Sequence, residues 1–175
     1  MSSQAAPGAL NISRKVLSVL IVMNVIAAVL ILVLLVASLV AREWAMQALG
    51  VARDAESGAH FLGMQMIMVF GIVSASIAHA TLSKLRAIVN TVRQGDPFVA
   101  ENAERLKKIA WAVLTLELLR LIIAAVAKSV STTQMHLNIT WNFSVPSWLA
   151  VLLLFVLARV FETGARMRAD LEGTV

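Results

Sequence analysis

Residues 16–40 form an apolar run of 25 positions in which only Ser18, Asn24 and Ser38 are polar and none is charged. At about 1.5 Å of rise per residue, a helix of this length reaches about 37 Å, more than the roughly 30 Å hydrocarbon core of a bilayer. Three further apolar stretches of spanning length follow, over about 59–80, 109–127 and 146–161. The pattern predicts four transmembrane helices. Pro146 falls in the first turn of the fourth, where a missing N–H costs nothing, and Arg159 near its end can carry its guanidinium to the headgroups. Arg14 and Lys15 precede the first run as in a secretory leader, but a cleavable apolar region is only about 7–15 residues long, so this run reads as a retained anchor.

Between the second and third spans the period changes. Leu82, Leu85, Ile88, Val89 and Val92 recur at helical spacing with Lys84, Arg86 and Arg93 off that stripe, which extends the second helix beyond the membrane. Gly95 can take the left-handed conformation that ends a helix, and Asp96 followed by Pro97 reads as an N-cap and first helical position. A helical hairpin over 81–108 is therefore expected, with Glu101–Arg105 and Glu104–Lys108 as i,i+4 ion pairs. Residues 136–145 instead alternate strictly, with Leu137, Ile139, Trp141, Phe143 and Val145 apolar, which predicts a short half-buried β-strand before the fourth span. Such a strand needs a partner edge: the 41–58 loop, a second copy or an added peptide.

Composition agrees with a lipid solvent. Of 175 residues, 59% are hydrophobic and 14% charged, against about 25% charged in soluble domains. The absence of cysteine removes disulfides and thiolate chemistry. The net charge of +5 is explained by topology: with the N-terminus inside, eleven Lys and Arg lie on the cytoplasmic side and three in the outer loops 41–58 and 128–145. Trp44, Trp141 and Trp148 then mark the outer interface and Trp111 the inner one. The chain is expected to be a single multi-pass domain of a bacterial inner membrane, with both termini cytoplasmic and no direct binding of nucleic acid.

The run Gly95-Asp96-Pro97-Phe98-Val99-Ala100-Glu101-Asn102-Ala103-Glu104-Arg105-Leu106-Lys107-Lys108-Ile109-Ala110 resembles the signature of a bacterial membrane family known as domain of unknown function 2975. Leu157-Ala158-Arg159-Val160-Phe161-Glu162-Thr163-Gly164-Ala165 and the closing Leu171-Glu172-Gly173-Thr174-Val175 are similar to that family's C-terminus. The resemblance implies a four-helix inner-membrane protein without assigned catalytic residues, whose genes often neighbour one for a small helix-turn-helix regulator. Gly95, Pro97, Phe98, Glu101, Asn102 and Arg105, with Lys108 beside them, become candidate partner-binding residues. The same residues also have a structural reading, in which Gly95 and Pro97 shape the turn, Phe98 staples it and Asn102 with Arg105 satisfies carbonyls.

Inside the spans, Glu117 and Arg120 share one face of the third helix. An isolated charge there costs on the order of 2.5–3.5 kcal/mol, so the two should pair or find polar neighbours such as Asn24, Gln65, Ser74 or Ser76. The pair suits either a proton or ion path or a polar clamp fixing helix register. His60, Met64 and Met68, four apart, form a weak set of copper(I)-type ligands; methionines filling gaps between helices and a histidine at a wet interface are the preferred reading, so no metal is expected. Gly71 with Ala75 and Ser74 with Ala78 are small-residue pairs suited to close helix packing within the chain or between copies. No P-loop, HExxH, nucleophile–base or dinucleotide signature is present, so neither enzymatic activity nor a cofactor is expected. The leading expectation is an all-α, four-helix membrane sensor or anti-regulator that holds a helix-turn-helix protein on its hairpin. A small oligomeric transporter or channel using Glu117 and Arg120, and a structural packing subunit, are the alternatives.

Overall fold

The computed structural model describes residues 7–41, 43, 57–130 and 144–172. Four long helices, α1 (Pro7–Val40), α2 (Ser57–Arg93), α3 (Ala100–Val130) and α4 (Val145–Glu172), account for almost all of them. Each is long and apolar enough to cross a membrane. The expected spans are thus cores of longer helices. α1 begins well before the apolar run, and α2 continues unbroken through the amphipathic stretch that follows the second span.

The expected strand over 136–145 is not supported. Residues 136–143 lie outside the described residues, no strand occurs among the described ones, and Val145 is helical. The physical reason at Val145 is the cap beside it. Ser144 accepts backbone bonds from Ser147 at 3.0 Å and Trp148 at 3.2 Å and has its hydroxyl 3.0 Å from that of Ser147, so it opens a helix instead of ending a strand. Pro146 sits in the first turn, as its chemistry requires.

The chain divides into two compact units. The first comprises Met1–Met23, Ala78–Thr115 and Ser144–Val175. Its core is Ile88 of α2, Leu106 and Ile109 of α3 and Ala158 of α4, flanked by Val92, Val113, Leu154 and Phe161. The expected stripe on α2 is therefore the face that packs. The hairpin is not a free two-helix projection: α4 lies along it and shares its core.

The second unit comprises Asn24–Ile77 and Leu116–Phe143. Here polar side chains tie α1 to α2. Asn24 donates to the Ala75 carbonyl at 2.9 Å, and Gln65 donates at 3.1 Å to the hydroxyl of Ser38, which is 1% exposed and itself donates to the Leu35 carbonyl. A Cβ on Gly71 would stand 3.6 Å from Ile31, so the Gly71–Ala75 face is used against α1 inside the chain. Most other apolar side chains of α1 in this unit, among them Leu30 and Val33, are exposed, as on a helix surrounded by hydrocarbon.

Candidate functional site

The turn between α2 and α3 is built on backbone geometry that begins with Gly95. Its φ of 84° is the left-handed conformation a side chain resists. The Gly95 N–H reaches the Val92 carbonyl and the Asp96 N–H the Thr91 carbonyl, both at 3.1 Å. This pair of bonds is the Schellman closure of α2. Asp96 consequently belongs to the end of α2 and is not the expected N-cap of α3, which starts at Ala100. Its carboxylate accepts instead from Arg168, near the end of α4.

Asn102 holds the turn together. It is 0% exposed. Its Nδ2 donates to Thr91 Oγ1 at 2.7 Å and to the Pro97 carbonyl at 2.9 Å, while its Oδ1 accepts from Arg105 Nη1 at 2.7 Å. Thr91 donates its own hydroxyl to the Ile88 carbonyl at 2.8 Å, so the Asn102 amide and the Thr91 hydroxyl are both satisfied. One amide thus joins the last turn of α2, the loop and the first turn of α3. Because Arg105 turns to Asn102, the expected Glu101–Arg105 ion pair does not form among the described residues; Glu104–Lys108 does, at 3.7 Å on the exposed face.

Phe98 binds this turn to α4. Its ring centroid lies 5.2 Å from that of Phe161, at a tilt of 41°. A Cβ placed on Gly164 would come within 2.8 Å of the Phe98 ring, so Gly164 is what lets the ring seat. Gly164→Ala therefore sets about 1 kcal/mol of helix propensity against an overpacking cost of about 1–3 kcal/mol. We expect the substitution to lower thermal stability in detergent when Phe98 is present. In a Phe98→Ala background the sign should reverse to a gain of about 1 kcal/mol, and equal effects in both backgrounds would refute the seating argument.

Beside Phe98 a cleft of about 440 Å³ opens between the start of α3 and the end of α4. Phe98, Val99 and Ala103 give it an apolar floor, and Glu101, Arg166 and Arg168 stand on its rim. Phe98 is 44% exposed and Glu101 is exposed, so the surface is reachable. Glu162, just past the apolar part of α4, is held between two guanidinium groups. The hydrogen bond from Arg159, at 2.9 Å, chiefly lowers its pKa from the usual carboxylate value, helped by the charges of Arg159 and Arg166 and opposed by desolvation. It is a fixed anion at neutral pH.

The expected partner-binding set therefore separates into two kinds. Gly95, Pro97, Asn102 and Arg105 build the turn, whereas Phe98 and Glu101 line the cleft and Lys108 lies on the exposed side of α3. Thr91, Phe161, Gly164 and Arg168 complete the site and were not anticipated. Their only signal in the sequence was the family-like tail containing Phe161 and Gly164, whose meeting with Phe98 is a long-range contact.

The other sequence candidates lie elsewhere. Arg120 Nε donates to Glu117 Oε2 at 3.0 Å, with the two side chains 35% and 15% exposed. Ala124 and Ala127, on the same face of α3, are almost fully buried. Asn24, Gln65, Ser74 and Ser76 bond elsewhere, so none of these four expected neighbours is needed for the pair to form. Met64 is buried and Met68 half-buried on α2, while the His60 side chain, together with Trp44, Trp141 and the other outer-loop candidates, lies outside the described residues. Among the described residues no three His, Asp or Glu side chains converge on a metal position.

The family described as "Protein of unknown function (DUF2975)" matches residues 45–175, which takes in α2, α3, α4 and the whole of the turn and cleft. No curated protein and no solved structure matches the chain.

Proposed function

We propose that this chain, which belongs to the DUF2975 family, is a non-catalytic membrane protein that docks a small cytosolic helix-turn-helix regulator at the α2–α3 turn and releases it when the membrane state changes. The observation that carries this reading is the cleft between the first turns of α3 and the last turns of α4, with an apolar floor and charged rim. Its size falls in the range of about 300–1,000 Å³ typical of ligand pockets, and an exposed aromatic at its edge is the kind of residue that anchors a protein partner. Eleven basic residues on the side that carries the turn support a cytoplasmic location, within reach of such a regulator. The gene-neighbour habit of the resembling family supplies the partner class.

In mechanism this is a population shift. Arg168 on Asp96 and Phe161 on Phe98 keep the end of α4 against the turn, and the cleft exists only while they do. A change that loosens α4 reshapes the docking surface and frees the partner. The test is capture from native membranes after mild crosslinking, comparing wild type with Glu101→Lys/Ala169→Trp, which reverses a rim charge and fills the cleft without touching Asn102. A helix-turn-helix protein should be captured by wild type and reduced at least about tenfold in the variant, as when the centre of an interface is blocked. Capture of no such protein, or equal capture by both, would sink the reading.

A further inference from the structure

A second groove runs between α3 and α4, one turn or more nearer the apolar part of each helix than the docking cleft. It holds about 260 Å³ and is lined by Ala103, Glu104, Lys107, Phe155, Ala158 and Arg159, among others. Its two ends differ in chemistry. At the apolar end Trp111 meets the edge of Phe155, with ring centroids 5.4 Å apart and planes at 85°, and Trp111 remains 56% exposed. At the polar end stand Lys107 and Arg159, with the carboxylates of Glu104 and Glu162 beside them.

The charges at that end do not balance. Glu104 is neutralised by Lys108, and Glu162 is shared between Arg159 and Arg166. Lys107 is exposed and forms no ion pair among the described residues. Lys107, Lys108, Arg159 and Arg166 thus set four cations against the two carboxylates of Glu104 and Glu162, at the level where the apolar stretch of α4 gives way to polar sequence. An aromatic platform one to two turns deeper, facing outward, is where Trp settles at a membrane interface. A rim whose cations outnumber its carboxylates, above an aromatic floor, is complementary to an amphiphile with an anionic head.

We propose that this groove binds an anionic glycerophospholipid, its phosphodiester on Lys107 and Arg159 and its acyl chain along Phe155 and Trp111. Soluble phosphate shares the head-group chemistry but has no use for the aromatic end, which is why the lipid is the occupant. Basic grooves between helices at an interface bind anionic head groups at a gain equivalent to about fivefold in association per cation. The inference does not rest on the regulator reading: the two sites share Ala100, Ala103 and Glu162, but Lys107, Arg159, Phe155 and Trp111 lie outside the docking cleft and the ligand is of a different class.

The experiment uses the full chain reconstituted in phosphatidylcholine vesicles containing either brominated phosphatidylglycerol or brominated phosphatidylcholine at equal mole fraction. Trp111 emission is taken as the difference between wild type and Trp111→Phe, and its quenching reports lipid in the groove. Wild type should prefer the brominated anionic lipid. Lys107→Gln should reduce that preference about fivefold, while Lys108→Gln, which removes an equal charge outside the groove, should leave it unchanged. Equal quenching by the two lipids in wild type, or equal loss in both lysine variants, overturns the site. Displacement of the anionic lipid by inorganic phosphate at constant ionic strength also overturns it, by assigning the groove to a soluble anion.

Discussion

Replacing Asn102 with alanine is expected to destabilise the protein by about 3–5 kcal/mol, the largest effect of any single polar substitution in the first unit. The side chain is fully buried, so no water can replace what it does. Its loss leaves the Thr91 hydroxyl without its donor, the Pro97 carbonyl without its partner and the Arg105 guanidinium without an acceptor at 2.7 Å. Neutral hydrogen bonds contribute about 1 kcal/mol each and a charge-assisted one about 1.5–3 kcal/mol, and buried groups left unpaired add a desolvation cost. The effect should be sharply local in origin. Asn102→Asp, which keeps the shape and the acceptor for Arg105 but loses the donors to Thr91 and Pro97, should recover only part of the loss. Chemical or thermal unfolding in detergent reads both values; an Asn102→Ala protein within about 1 kcal/mol of wild type would mean that the turn does not depend on this amide.

Glu117→Gln is expected to cost about 2–3 kcal/mol, because it leaves Arg120 charged and without its carboxylate inside an apolar span. The geometry favours this over an exposed pair: the bond is 3.0 Å, Glu117 is 15% exposed, and the shared face continues into the buried Ala124 and Ala127. Breaking one partner of a desolvated pair is more damaging than removing both. Glu117→Gln/Arg120→Gln should therefore be more stable than Glu117→Gln alone, since two neutral amides can still bond across the same helix turn. Salt should change none of these values much, as a pair outside water is weakly screened. A double variant less stable than the single one would reject the clamp and return the pair to the role of an ion path.

The four helices were legible from the sequence because the demand that produces them is local. A backbone in hydrocarbon must satisfy its own hydrogen bonds, so twenty apolar residues in a row have one structure open to them. Gly95 as a helix terminator was legible for a similar reason: the left-handed conformation is a property of one residue and its immediate neighbours. Asp96-Pro97, by contrast, carries the local pattern of an N-cap, yet Asp96 closes α2 and pairs with Arg168. A residue that can serve as a cap or as an ion-pair partner is assigned by what the fold brings near it.

Val145, the last residue of the expected strand, opens α4 for a similar reason. Alternation describes which side chains are apolar, not whether the backbone has a partner edge, and Ser144 supplied a helix cap at the point where the pattern ended.

The sequence by itself determined a four-helix membrane protein with a helical hairpin, its family, and the pairing of Glu117 with Arg120, since spacing on one helix decides that contact. Only the tertiary structure decided that Asn102 is a buried hub and not a docking residue, that Phe98 seats on Gly164, and that α3 and α4 enclose two chemically different grooves. Those features join residues far apart along the chain, as Phe98 and Gly164 or Lys107 and Arg159, or depend on which way a half-polar helix face turns. The order of residues along one helix does not specify either of these; the packing of α4 against the hairpin does.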